Sequence, residues 1–346
     1  MESLKWFLNW LQGFYRRTYP LSTLGTRLIL AGSIAGLPLT VLLQANIENS
    51  IVIPFVELQT NAPSFLSGLI SLMTVFSGCY MISHELRSSA RKTARVFIAG
   101  LPNMSPDFPH GLMTRTEERK AREAVTFWIE ADDEEDIEKS IKKFNAELSA
   151  RVFQRFVLHN HCEKVYIGGL ARIPFLVVYG SIFRTEKAQT IYFDKLHDDG
   201  IWRLLNEENE NINVVQTTEN ITANKDGDIG LAIAFSTPFS ESCLPPELQG
   251  HTLILHPNVN TNRNLIRNQE NLHAISIEIT KIIDNVSAQS SGRIHLFLSV
   301  QSTLAIEIGR RFQEGIHRPW VVHNFDASNN QYNWAIELTK NGANRY

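Results

Sequence analysis

The chain has 346 residues, a formal net charge of −3 and a pI of about 6.4, so a general polyanion-binding surface is excluded and an anionic ligand would need a local cluster of donors. Its three cysteines, Cys79, Cys162 and Cys243, are odd in number and widely spaced, which excludes a disulfide framework or paired-cysteine metal knuckle and fits a reducing compartment. That length suggests two domains.

Residues 1–22 gather Trp6, Phe7, Trp10, Leu11 and Phe14 on one side of a helix, ahead of Arg16 and Arg17. This is the pattern of an amphipathic helix lying in a membrane interface. Within 23–85 follow two uncharged hydrophobic spans, 28–43 and 63–83. The loop between them, 44–62, holds Glu48 and Glu57 but no Lys or Arg, while Lys5, Arg16, Arg17 and Arg27 lie on one side and Arg87, Arg91, Lys92 and Arg95 on the other. That asymmetry predicts a two-helix, multi-pass transmembrane hairpin, with the lipid bilayer as a partner and both termini in the cytoplasm. Gly32 and Gly36 in the first span, and Ser64, Ser67, Gly68 and Ser71 in the second, stand four apart, a spacing that gives close-approach faces to neighbouring helices.

From 95 to 346 the pattern changes to apolar runs alternating with helical periodicity, and it occurs twice, in halves of about 95–205 and 225–340. The first half offers strands near 96–102 and 125–130, a helix over 134–157, then a strand, small elbow and helix over 164–180. The second offers strands at 231–238 and 252–256, a helix over 264–287, then strand, elbow and helix over 293–312. Laid together, Val165 falls on Ile294, Gly180 on Gly309, Phe183 on Phe312 and, with a short insertion, Trp202 on Trp334. Residues 205–228 read as the connection, with a short strand at 212–215. Repeated strand–elbow–helix units predict a mixed α/β fold of two Rossmann-like halves, with ligands at the strands' C-terminal ends.

The candidate ligand contacts follow from that geometry. Gly168 and Gly169 lack a Cβ and would let a ligand approach the backbone; Arg172 is either a phosphate contact or a surface residue after a tight turn. Ser236 and Thr237 offer hydroxyls to phosphate or base edges, or ordinary turn chemistry. Ser299, Gln301, Ser302 and Thr303 form the best elbow: Ser302 suits an N-cap, and Gln301 suits a base edge. Trp202 and Trp334 are either stacking platforms or core. The acidic run at 132–136 suits a helix N-terminus rather than a metal, and His159, His161 and Cys162 are too crowded for a tetrahedral site. Neither GxGxxG nor a P-loop occurs, and no nucleophile–base signature stands out.

The order and doubling of two motifs carry a family resemblance. Gly168-Gly-Leu-Ala-Arg-Ile-Pro174 leads to Gly180 and Trp202, and Ser302-Thr-Leu-Ala-Ile-Glu-Ile-Gly309 leads to Trp334. Over roughly 95–340 the chain resembles the SAVED family, the ligand-sensing domain of bacterial CBASS anti-phage effectors. The resemblance implies two fused CARF-like halves that bind a cyclic oligonucleotide, a cyclic trinucleotide, made by a CD-NTase. It also implies no cofactor, no catalysis, no DNA or RNA polymer as partner, and ligand-induced homo-oligomerisation. For members fused to two transmembrane helices it implies disruption of the inner membrane. A membrane-bound phosphodiesterase acting on a cyclic nucleotide is the alternative, and a membrane-tethered scaffold a third reading.

Overall fold

A computed structural model describes residues 20–35, 65–89, 93–101, 107–114, 123–150, 162, 164–184, 188–197, 200–208, 211–217 and 221–346. The chain divides into two units, Met1–Arg91 and Lys92–Tyr346.

In the first unit, helix α1 (Pro20–Ala35) packs antiparallel to helix α2 (Phe65–Ser89). Small residues set the approach. A Cβ on Gly25 would stand 2.7 Å from the Gly78 carbonyl oxygen, and one on Gly78 would stand 2.6 Å from that of Gly25. Further along, a Cβ on Gly32 would meet Val75 Cγ2 at 2.8 Å and the Ser71 carbonyl oxygen at 3.0 Å, and the Ser71 hydroxyl donates to the Gly32 carbonyl. Gly32 is therefore used inside the pair and not offered to a neighbour. Gly36, Ser64, the aromatic stretch 1–19 and the loop 44–62 lie outside the described residues.

The membrane placement is overturned: among the described residues, no helix is long and apolar enough to cross a membrane. Of the first expected span, 28–43, residues 36–43 lie outside the described residues. The apolar run of α2 is interrupted by Ser71, Thr74, Ser77 and Gly78, and the helix closes on His84, Glu85 and Arg87. The expected multi-pass inner-membrane protein with both ends in the cytoplasm is withdrawn on that finding.

The second unit holds two sheets. Strands β1 (Thr93–Ala99), β2 (Glu123–Trp128), β3 (Lys164–Leu170), β4 (Gln189–Lys195) and β5 (Trp202–Leu204) lie in the order β2-β1-β3-β4-β5. All pairs are parallel except β4 with β5. Helices α3 (Glu134–Ala150) and α4 (Ile173–Ser181) provide crossovers, α4 with Pro174 in its first turn, where the missing N–H costs nothing.

The other sheet contains β6 (Val214–Gln216), β7 (Ile229–Ala234), β8 (Thr252–Pro257), β9 (Ile294–Ser299), β10 (Trp320–Asp326), β11 (Gln331–Thr339) and β12 (Gly342–Arg345). Its order is β12-β11-β10-β9-β7-β8-β6. The run β8-β7-β9-β10-β11 repeats the order and directions of the first sheet. Every residue of β7 is buried, as expected of a parallel strand covered on both faces. Helix α5 (Gln269–Gln289) starts where Asn268 accepts the N–H groups of Glu270 and Asn271. Helix α6 (Ser302–Arg310) is buried from Ser302 to Gly309.

The two halves meet through α4 and α6. A Cβ on Gly180 would lie 2.3 Å from the Ile306 carbonyl oxygen, and one on Gly309 would lie 2.0 Å from that of Val177. The glycines that coincide in the sequence repeat thus sit in one helix–helix contact. Around it, Tyr192 of β4 hydrogen-bonds Glu307 of α6, and Arg310 donates to both at 2.8 and 2.9 Å. At the far edge, the Asn145 amide of α3 donates to the Ala343 carbonyl at 2.7 Å and accepts the Ala343 N–H at 2.9 Å. The side chain thereby completes the hydrogen bonding of β12 as a neighbouring strand would.

Candidate functional site

Each half reverses strand order beside its central strand, between β1 and β3 and between β7 and β9. Such switch points leave a crevice beyond the strands' C-terminal ends. Here the segments after β3, β4, β7 and β9 line one cavity of about 370 Å³. The first half contributes Ala171, Ile173, Asp194, Lys195 and His197; the second contributes Ser236, Thr237, Phe239, Arg263, Ser299, Gln301, Ser302, Phe325, Asn330 and Tyr332. The loops are tied together: the Asn264 side chain accepts the His197 N–H at 2.8 Å. Lys195, His197 and Arg263 therefore converge from both halves on the same space.

Of the residues expected at the site, Ser236, Thr237, Ser299, Gln301 and Ser302 line this cavity. The Ser236 hydroxyl is buried without a hydrogen-bond partner among the described residues, an unused donor at the cavity wall. Ser299 Oγ accepts the Thr237 N–H at 3.2 Å and lies 2.6 Å from Thr237 Oγ1, which fixes the β7 and β9 exits side by side.

Several expectations are corrected by the geometry. The Gln301 amide is already engaged and is not free for a base edge. It accepts the Ile266 N–H and donates to the Ile266 carbonyl at 3.2 Å, and only 7% of the residue is exposed. Gln301 is a clamp on the loop before α5. Replacing it with alanine is expected to lower stability by about 2 kcal/mol, because both Ile266 backbone groups are left buried without partners. A urea titration with an unchanged midpoint would refute this role. Ser302 is the first residue of α6, not its cap; Gln301 holds the cap position and its side chain makes no capping bond. One backbone donor there, that of Thr303, is met by Asp194 of the other half. Thr303, fully buried, donates its hydroxyl to Asp194 at 3.1 Å, and Asp194 also accepts the Lys195 N–H at 2.8 Å. Burial raises the Asp194 carboxyl to about 6, against the opposing pull of these hydrogen bonds.

Gly168 and Gly169 lie within β3. A Cβ on Gly168 would meet the Phe193 carbonyl oxygen at 2.3 Å, and one on Gly169 that of Ile98 at 2.4 Å. The missing side chains serve the neighbouring strands, so a large residue at Gly169 would disturb the sheet and not a ligand alone. Arg172 is exposed outside the cavity lining. Trp202 packs on Phe97 and Phe193 at 5.3 and 5.6 Å. Trp334 lies 6.0 Å from Phe175 with Arg345 over its ring. Neither indole lines the cavity.

Sequence reasoning missed Asp194, Lys195, His197, Arg263 and Phe325. For Lys195 and His197 a signal existed: they lie at the end of β4 and just beyond it, the strand that echoes β10, where a Rossmann-like half places its ligand loops. Arg263, in Thr-Asn-Arg-Asn, carries none. Among the described residues, no group of three or more side chains could hold a metal. The acidic run starts α3, with Asp133 accepting the Asp136 N–H at 2.8 Å.

Residues 139–338 match the family model described as SAVED, the SMODS-associated and fused to various effectors sensor domain. The chain belongs to the SAVED family. Among solved structures it is similar to the Acinetobacter baumannii Cap4 SAVED/CARF-domain containing receptor with the cyclic trinucleotide 2'3'3'-cAAA. Identity there is 15%, with a TM-score of 0.48 and coverage of 79% of this chain and 59% of that one. The Moraxella osloensis Cap4 receptor matches at 16% identity, TM-score 0.42, with 81% and 57% covered. This SAVED chain therefore spans under two thirds of the length of those receptors. No curated protein matches it.

Proposed function

We propose that the second unit of this SAVED protein is a sensor of a cyclic oligonucleotide, a cyclic trinucleotide released by a CD-NTase in anti-phage defence. Its two Rossmann-like halves act as fused CARF-like modules around one ligand. The observation that carries this reading is the cavity at the strand ends of both halves, with Lys195, His197 and Arg263 converging on it. In a chain of net charge −3 this is the local donor cluster that a ring of phosphodiesters needs, and the Ser236 hydroxyl, without a partner among the described residues, adds a neutral donor. The ligand bridges both halves, is bound and returned intact, and its occupancy drives self-association in which the α1–α2 pair is the output element. Disruption of the inner membrane is dropped together with the membrane placement.

The test is calorimetric titration of the full chain with 3'3'3'-cAAA. Lys195→Glu with Arg263→Glu is expected to weaken binding by about 100-fold or more, since a lost charge-assisted hydrogen bond costs roughly 1.5 to 3 kcal/mol. Binding unchanged in the double variant would move the site elsewhere, and steady loss of ligand mass during incubation would refute a purely sensing role.

A further inference from the structure

One wall of the cavity is built differently from the rest. Strand β10 is buried from Trp320 to Asn324, and then its register against β11 shifts between Asn324 and Phe325. An irregularity of this kind re-aims the following side chain. Phe325 is left 38% exposed, and it is turned to the cavity. Its ring is held from behind by Tyr332, 5.2 Å away and edge-on, which in turn packs on Phe297 at 4.8 Å. The ring is thus backed by the aromatic side chains of the sheet.

The turn that follows is held by hydrogen bonds. Asp326 accepts the Ser328 N–H at 3.0 Å, the Ser328 hydroxyl and the Asn329 amide at 2.7 Å. Asn330 has φ 53°, the one positive value among the described non-glycine residues, and it too lines the cavity. An exposed aromatic face and an amide thus sit on one braced hairpin at a cavity also lined by Lys195 and Arg263.

We infer that this hairpin is the base-recognition element of the site. Phe325 is the platform on which one base stacks, and Asn330 reads the edge of that base. The class of base is a purine presenting a donor beside a ring-nitrogen acceptor, as adenine does with N6 and N7, the pattern an Asn amide matches with two hydrogen bonds. This rests on the cyclic-oligonucleotide reading and deepens it by naming the base and the residues that select it.

The experiment titrates the full chain with 3'3'3'-cAAA and with its uridine counterpart. Phe325→Ala is expected to weaken cAAA binding by about 10- to 100-fold, as base–aromatic stacking predicts. Phe325→Leu keeps an apolar side chain without a π face and is expected to lose nearly as much; Phe325→Trp is expected to stay within about threefold of wild type. Asn330→Ala is expected to narrow the preference for the adenine ring over the uridine ring. Urea midpoints of all variants check that the fold is intact. Wild-type binding with Phe325→Ala or Phe325→Leu equally tight would overturn this inference alone. A wild-type chain that binds neither ring would overturn the sensing reading, and this inference with it.

Discussion

Replacing Gly309 with alanine is expected to destabilise the second unit by about 3 kcal/mol or more, at the upper end of what overpacking a core costs. The added methyl would stand 2.0 Å from the Val177 carbonyl oxygen and 2.8 Å from its carbon. Those are backbone atoms of a buried helix, so no rotamer change can relieve the overlap. Helices α4 and α6 would have to separate, opening space beside Phe175, Leu176 and Leu304, all of which are 0% exposed. Gly180→Ala should do the same from the other side, against Ile306. Gly68→Ala, at an exposed helical position with nothing within 4 Å of the new atom, is the control that should not lower the urea midpoint. If Gly309→Ala unfolds at the wild-type midpoint, the helix contact is not what joins the halves.

The second large effect is on pH dependence. His295 and His323 are buried on the β9 and β10 face away from α6, with Nδ1 of His295 2.9 Å from Nε2 of His323, and Asp228 Oδ2 3.3 Å from His295 Nε2. Burial, and then the neighbouring His295, push the His323 imidazole down to about 3; burial lowers His295 as well, against the pull of Asp228. A base depressed in the folded state stabilises fully above its unfolded value, near 6.5, and loses that contribution as pH falls toward the folded one. The loss is about 1.4 kcal/mol per pH unit for His323. Asp194, raised to about 6, works in the opposite sense between roughly 4 and 6, because the folded state there holds the extra proton. The wild-type curve alone therefore conceals both. Comparison with His323→Phe, which keeps an aromatic against Phe297 and Tyr332, isolates the first. Relative to wild type, the variant should gain about 2 kcal/mol between pH 6.5 and pH 4.5. Parallel stability curves for the two proteins over that range would rule the buried pair out as the acid-sensitive element.

The elements of the second unit were legible because each is a local pattern. Ile294, Leu296 and Leu298 alternate to one face of β9, and Ala305, Ile308 and Phe312 repeat at helical steps, so strand, elbow and helix could be read in order. Roles that depend on a distant partner could not. Gln301 reads as a free amide until Ile266, 35 residues away, is seen against it. Gly168 and Gly169 look like a ligand elbow because nothing in the string says that Phe193 and Ile98 press on them. Gly180 and Gly309 stood out as equivalent positions, yet equivalence does not reveal that they touch. The charge pattern around 44–62 suggested a membrane, but it does not specify how far a helix stays apolar or which glycines it uses against its own partner. Phe325 was invisible for a related reason: in sequence it continues β10, and only the register shift turns it outward.

The Asn145–Ala343 bond has a consequence for how the molecule is made. Its two ends are 198 residues apart, so at 5 to 20 residues per second a ribosome needs about 10 to 40 s after making Asn145 to deliver its partner. During that interval α3 presents an unmet amide, and the first sheet lacks both the α6 helix that packs on it and the Asp194 partner, Thr303. The first half therefore waits, incompletely closed, for the second. Contacts of such long range also slow the search for the native state once the whole chain is free. A protein built this way is exposed longest at the surface where its halves join.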